Sequence, residues 1–348
     1  MSIRGADPLL RWLPFAVMGA VVLIDVAAGP EYRYLPLLAL GPAFASLCGG
    51  IQRAVLVGLL AIGFCLAMAA YDHIFGHRYV YLILGSIAGV TVASALASAG
   101  RQQRERELAT VRTVAEVAQR VLLRPVPRSA GPVRVAVSYT SAAAEARIGG
   151  DLYEVVTSPY GVRILVGDVQ GKGLEAVETA AAVLGAFREA AYDEAHLAGV
   201  VTRLETTLNR LLSGEKFVTA ILAELSHDQI SLLCCGHPPP LMITSAGDVR
   251  FVELCDPSPP LGMTDLIDVA KLRPYRMCFA RGDQMLFYTD GVIEARNEAG
   301  LFYPLRERAH LLMTMGAEEA LEHLRADLVR HVGGPIADDA AMLLIRHR

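Results

Sequence analysis

Cysteine is scarce and scattered in this 348-residue sequence. Cys48, Cys65, Cys234, Cys235, Cys255 and Cys278 include no CxxC pair, and the first two lie inside apolar runs. That excludes a disulfide framework and a thiolate zinc site, and it leaves six small buried hydrophobes suited to a reducing compartment. Excess positive charge is lacking too. Lys and Arg number 32 against 36 Asp and Glu, a formal net charge of -4, which excludes a nucleic-acid binder driven by phosphate neutralisation. Charge of either sign is sparse between residues 9 and 99, whereas the rest has ordinary globular composition. The apolar fraction of 53% and the mean hydropathy of +0.39 therefore come mainly from the first part. The length predicts two or three units.

Four apolar stretches stand out, at 13–28, 35–50, 54–70 and 79–99. A helix needs ~20 mainly apolar residues to cross the hydrocarbon core. The fourth meets that length, the second and third read as a hairpin around Ile51-Gln52-Arg53, and Pro14 and Asp25 interrupt the first. Further apolar runs follow at once, so a cleaved signal peptide is not the expectation. With four spans, Arg4, Arg11, Arg53, Arg101, Arg104 and Arg106 fall on one side; Arg33 and Arg78 fall on the other, with Glu31, Asp72, His73 and His77. The positive-inside rule then predicts both termini in the cytoplasm. Asp25 reads either as an intramembrane sensor of a ligand or ion, or as an interfacial carboxylate reaching the headgroups.

Residues 101–125 form a charged connector with Val111, Val114, Ala118 and Val121 three and four apart. The stripe fits a dimerising helix between membrane and enzyme, or an amphipathic helix packed on its own domain. Arg124-Pro125-Val126-Pro127 ends it, because proline lacks an amide donor and disfavours helix in the residue before it. The expected organisation is a membrane region at 1–100, this linker, and a folded domain at 126–348. In the last part, strand-like runs at 133–139, 162–166, 217–225, 230–235, 248–254, 284–288 and 341–345 alternate with helical stretches at 174–192, 198–212 and 317–332. Helical pairs between strand runs predict an α+β fold, two packed sheets with helices outside.

The aspartates carry the chemistry. Asp151 stands in Gly149-Gly150-Asp151, Asp168 ends Ile164-Leu165-Val166-Gly167, Asp290 ends Met285-Leu286-Phe287-Tyr288-Thr289, and Asp338 and Asp339 open the final strand. One Asp-Gly is an ordinary turn. Four segments that each set a carboxylate at the end of a buried strand imply a compensating cation, since isolated buried charge is costly. Oxygen-only ligands favour Mg²⁺ or Mn²⁺ over zinc.

The series GGDLYE, GDVQGKG, GHPPPL, YTDGVIEARN and DDAAMLL resembles the PPM family of metal-dependent protein phosphatases, in its bacterial SpoIIE-like branch, over residues 133–348. The resemblance implies an αββα sandwich, here preceded by the four-helix transmembrane region, and two Mn²⁺ or Mg²⁺ ions. It implies that Asp168 bridges them with the Val169 carbonyl as a further ligand. Asp290 and Asp338, with Asp339 as the neighbouring candidate, complete the first metal site, and Asp151 serves the second. A metal-activated water would hydrolyse phosphoserine or phosphothreonine, so no Ser, Cys or His nucleophile is expected. In this branch the substrate is commonly a phosphorylated anti-anti-sigma factor. Glu154 stands where the family usually has aspartate, and the last motif has Ala-Ala where an apolar residue and threonine are usual. Arg147 reads as a phosphate contact or as a solvated loop residue, His237 as a structural hydrogen-bonding group, and Lys172 with Gly173 as parts of a switch. A non-catalytic scaffold and a small-molecule phosphomonoesterase are the competing readings.

Overall fold

The computed structural model describes residues 8–28, 34–71, 77–140, 150–211, 216–254, 258–263, 272–313, 316–334 and 336–348. Arg4, Glu31, Arg33, Asp72, His73, Arg147, Gly149 and Cys255 lie outside them. The chain divides into two compact units, Met1–Val111 and Arg112–Arg348.

The first unit is helical: α1 (Pro8–Ala28), a 3₁₀ turn (Leu35–Ala39), α2 (Leu40–Cys48), α3 (Ile51–Tyr71) and most of α4 (Arg78–Leu122). The four apolar stretches expected as spans all form helices, of unequal length. Two helices are long and apolar enough to cross a membrane, Ile51–Tyr71 and the Arg78–Thr110 part of α4, while Trp12–Ala27 and Leu35–Leu47 are shorter apolar helices. The second stretch is short because it opens as a 3₁₀ turn with Pro36 and ends at Gly49-Gly50. Pro14 does not break α1, which runs through it. Asp25 is buried and accepts the Tyr34 N–H at 2.8 Å. The span and the connector also prove to be one 45-residue helix, since the polar stretch after Gly100 is rich in strong helix formers such as Gln, Arg, Glu and Leu. It stops at Leu122, ahead of Pro125.

The second unit contains β1 (Ser129–Ala130), β2 (Val133–Thr140), β3 (Asp151–Ser158), β4 (Gly161–Val169), α5 (Leu174–Asp193), α6 (Leu197–Leu211), β5 (Val218–Ser226) and β6 (Gln229–Cys235). There follow β7 (Leu241–Ile243), β8 (Val249–Phe251), β9 (Tyr275–Cys278), β10 (Gln284–Tyr288), α7 (Asp290–Ile293), α8 (Leu305–Arg308), a 3₁₀ turn (Ala309–Met313), α9 (Ala317–Val332) and β11 (Ala340–His347). The sheets have strand orders β1-β2-β11-β10-β7-β8 and β3-β4-β5-β6-β9.

Strand alternation builds the αββα layers. Val162, Ile164 and Val166 of β4 meet Phe287, Leu343 and Ile345 between the sheets. Leu165 and Val169, on the other face of β4, pack with Phe187 and Leu204 of α5 and α6. Met342 and Leu344 of β11 pack with Leu321 and Leu324 of α9. Strands covered on both faces read as continuous apolar runs, which is why the sequence marks them. The helical side of β4 also carries Arg163, which is fully buried. Its guanidinium pairs with Glu224 and donates to the carbonyls of Ala191 at 3.0 Å and Glu194 at 2.6 Å, capping the end of α5.

Candidate functional site

Antiparallel register sets Asp151, the first residue of β3, directly across from Asp168 near the end of β4. Both belong to the set of alternating positions that faces the second sheet. In that sheet β10 pairs with β11, Tyr288 opposite Met342, so Asp290 after β10 and Asp338-Asp339 before β11 emerge at one end. The four motifs therefore converge although 187 positions separate Asp151 from Asp338 in the chain. Glu154 falls on the opposite face of β3. It accepts the Arg188 Nε–H at 2.6 Å, and Arg188 also donates to the Leu122 carbonyl at 3.0 Å. The departure at Glu154 thus concerns the helical layer rather than the carboxylate cluster.

Two glycines permit the convergence. A Cβ on Gly150 would stand 2.2 Å from the Val169 carbonyl oxygen and 2.7 Å from Asp168 Oδ1; one on Gly291 would stand 1.8 Å from the Asp339 carbonyl oxygen. Glycine at these positions lets the chain pass at backbone distance and keeps the Asp168 and Val169 oxygens accessible.

Thr289, to which the sequence alone assigns no role, joins the sheets. It is fully buried, donates its hydroxyl to Asp151 Oδ2 at 2.8 Å and accepts the Ala341 N–H at 2.9 Å. His237 makes a parallel tie. Its Nε2 lies 3.1 Å from the Tyr288 carbonyl, which can only accept, so Nε2 carries the proton; Nδ1 accepts from the Thr219 hydroxyl at 3.1 Å. Burial pushes the imidazole down to about 4, so it is neutral near pH 7 and has the surroundings of a structural group.

The carboxylates crowd one another. Burial, then Asp168, holds the Asp151 carboxyl well above the usual range, with the Thr289 hydrogen bond opposing. Burial, then Asp290, Asp338 and Asp339, pushes Asp168 up to about 7, while Lys172 pulls it down. Asp290 is raised by desolvation and then by Glu294 and Asp338. Lys172 Nζ reaches Asp338 Oδ1 at 2.7 Å, so an ammonium already stands among the acids. Among the described residues, no three carboxylate, imidazole or thiolate groups enclose a common point. The donor set is oxygen-only, its ionised forms are penalised, and the Gly150 cradle leaves two oxygens open. These residues fit hard divalent cations.

A pocket of about 290 Å³ opens from this cluster, with Asp290 and Asp338 in its wall beside Glu294, Ala295, Arg296, Val332 and Ile336. It forms where the segment after α7 meets the segment between α9 and β11, two stretches that no local motif connects.

Comparison with known proteins agrees with this architecture. Phosphoserine phosphatase RsbU of Bacillus subtilis is 23% identical over 206 residues, covering 58% of this chain and 60% of RsbU, so the chain spans about three fifths of that relative. The SiaA-PP2C domain of Pseudomonas aeruginosa superposes with a TM-score of 0.59 at 18% identity, over 71% of this chain and 98% of that one, and shows a PP2C-type fold. The RsbU and RsbW domains of Rv1364c from Mycobacterium tuberculosis give a TM-score of 0.50 at 25% identity, over 62% and 60%. The family model for Stage II sporulation protein E matches residues 158–348, a range that takes in Asp168, Asp290 and Asp338 and begins just after Asp151. More than half of the sequence lies within that match, and the chain belongs to the SpoIIE family.

Proposed function

We propose that the protein is a membrane-anchored, metal-dependent protein serine/threonine phosphatase whose catalytic part is residues 126–348, facing the cytoplasm. The observation that carries the reading is the cross-strand pair Asp151 and Asp168, brought to the same end of the sandwich as Asp290 and Asp338. Asp168, Asp290 and Asp338, with Asp339 beside them, Asp151 and the Val169 carbonyl would hold two Mn²⁺ or Mg²⁺ ions. When bound, such ions supply Lewis-acid charge and a water acidified for attack on a phosphate ester. The chain's own contribution is positional. Thr289 orients the Asp151 carboxylate, Gly150 keeps the Asp168 and Val169 oxygens open, and Lys172 holds Asp338. The described site offers no activated Ser, Cys or His nucleophile, and its one buried imidazole is engaged on both nitrogens.

The phosphoserine phosphatase relative supports a phosphorylated protein as substrate, and the resemblance to the SpoIIE-like branch makes an anti-anti-sigma-type partner the proposed one. Membrane anchoring is supported by a helical unit that carries large apolar side chains on its outside as well as in its core. Trp12, Leu23, Leu59, Leu82 and Leu96 are exposed, while Asp25, Ser94 and Ser98 are buried. Large aliphatic side chains exposed around an apolar core fit a lipid-facing surface. Arg101 donates to the carbonyls of Ser46 at 2.6 Å and Gly49 at 3.0 Å. It therefore lies at the same end as the α2–α3 turn and Arg53, in keeping with a cytoplasmic basic face. The test is phosphate release from a phosphoserine peptide by the full chain in detergent, with Mn²⁺, with chelator, and with Asp168→Asn. Turnover that needs the metal and vanishes in the variant is expected. A folded protein that neither binds Mn²⁺ nor releases phosphate would move the reading to the non-catalytic scaffold.

A further inference from the structure

The pocket beside Asp290 and Asp338 contains a cation that the phosphatase chemistry leaves unused. Arg296 is the single basic residue among those that line it. Its guanidinium carbon lies 4.4 Å from the centroid of the Phe302 ring, and the two residues form an antiparallel bridge. The segment between them is a built hairpin: Asn297 Oδ1 accepts the N–H groups of Ala299 and Leu301 at 3.0 and 2.9 Å, and Tyr303 N–H reaches the Ala295 carbonyl at 2.9 Å. The stack therefore holds an exposed arginine in place. Among the described residues its guanidinium has no carboxylate or carbonyl partner; Asp290, Glu294 and Asp338 share the pocket without pairing to it. Stacking that orients the fork and leaves its donors free suits recognition of a planar anion. The other wall is apolar, formed by buried Ala295 and Ile336 with Val332. At about 290 Å³ the space is at the lower end of small-ligand pockets, which run ~300–1,000 Å³. It suits one or two side chains rather than a nucleotide.

We infer that this pocket reads the substrate segment next to the phosphorylated residue, an aliphatic side chain entering over Ala295, Val332 and Ile336 and a flanking carboxylate pairing with Arg296. The inference rests on the phosphatase reading for its substrate and adds a specificity-determining residue to it. Arg296 touches the flank and not the reacting phosphate.

The test uses the full chain in detergent with Mn²⁺. Phosphoserine peptides carry Leu on one side and either Asp or Lys at each flanking position in turn, and p-nitrophenyl phosphate serves as a substrate without flanks. For the native protein, the best Asp peptide should exceed its Lys counterpart in kcat/KM by about tenfold, the scale of an exposed ion pair turned from attraction to repulsion. Arg296→Glu should invert that preference, and Arg296→Gln should abolish it. The loss on the Asp peptide should exceed any loss on p-nitrophenyl phosphate by about the same factor. Equal losses on all three substrates, or an Asp-to-Lys ratio that does not move, would overturn the assignment. Fluorescence anisotropy with the same peptides carrying a non-hydrolysable phosphonate separates the two readings. Charge-inverted binding without turnover of any substrate upholds the pocket and defeats the phosphatase reading. Turnover with no charge preference in either assay does the opposite.

Discussion

Replacing Asp168 with Asn should make the metal-free protein more stable while removing its response to metal. Without a cation, Asp168 is pushed from 3.8 to about 7 by burial and by Asp290, Asp338 and Asp339. At ~1.36 kcal/mol per tenfold, that difference costs the folded state about 4 kcal/mol once the group is ionised. Asp168 is only partly buried, so solvent screening reduces the figure to roughly 2 kcal/mol. The folded value is the raised one. Its favourable contribution is therefore complete below about pH 4 and is lost as the pH climbs through about 7. For a unit of this size each kcal/mol moves the midpoint by ~2–4 °C, which gives about 4–8 °C. The segment 112–348 contains its own layered cores and can be melted in EDTA at pH 5 and pH 8, followed by circular dichroism. Asp168→Asn should melt higher than the native sequence at pH 8, and the gap should close toward pH 5. Saturating Mn²⁺ at about 100 Kd adds ~2.7 kcal/mol to a protein that binds it, and that rise should be confined to the native sequence. A lower midpoint for the variant at pH 8 in EDTA, or an unchanged Mn²⁺ response, would refute the crowded-carboxylate argument.

Three further outcomes follow from the same geometry. Arg163→Met leaves Glu224 without its buried partner and the α5 carbonyls without a donor. That should cost about 3–5 kcal/mol in urea unfolding; a loss under about 1 kcal/mol would show the network to be dispensable. Thr289→Val removes the hydroxyl between Asp151 and Ala341 at nearly constant volume, for about 1–3 kcal/mol of stability. Because that hydrogen bond lowers the Asp151 carboxyl, the pH at which Mn²⁺ binding is half-maximal should rise, as titration calorimetry across pH would detect. Gly291→Ala drives a methyl into the Asp339 carbonyl, and the forced backbone shift should cost ~1–3 kcal/mol and weaken Mn²⁺ binding. A variant with native stability and affinity would mean that this approach is looser than it stands.

Local signals account for much of what was legible without coordinates. β10 and α9 occupy the expected residues 284–288 and 317–332 because a run buried on both faces and an amphipathic period are written within the segments themselves. β7 and β9, three and four residues long, were not legible; strands so short owe their form to the partners they pair with. The break expected near residue 100 was a change in the environment of α4, from apolar to charged, with no interruption of its hydrogen bonding. The aspartates at strand ends suggested the proposed chemistry, since a carboxylate closing an apolar run needs a reason wherever it sits. Their arrangement came only with tertiary structure. Register put Asp151 opposite Asp168 and turned Glu154 to the far face, because a one-residue slip reverses every side chain in a strand. Packing of one sheet on the other brought Thr289 to Asp151 and Lys172 to Asp338, and packing of the helical layer on the β10–β11 sheet brought Arg296 to the pocket wall. Those contacts join residues far apart in the chain, and no preference acting over a few neighbouring residues encodes them.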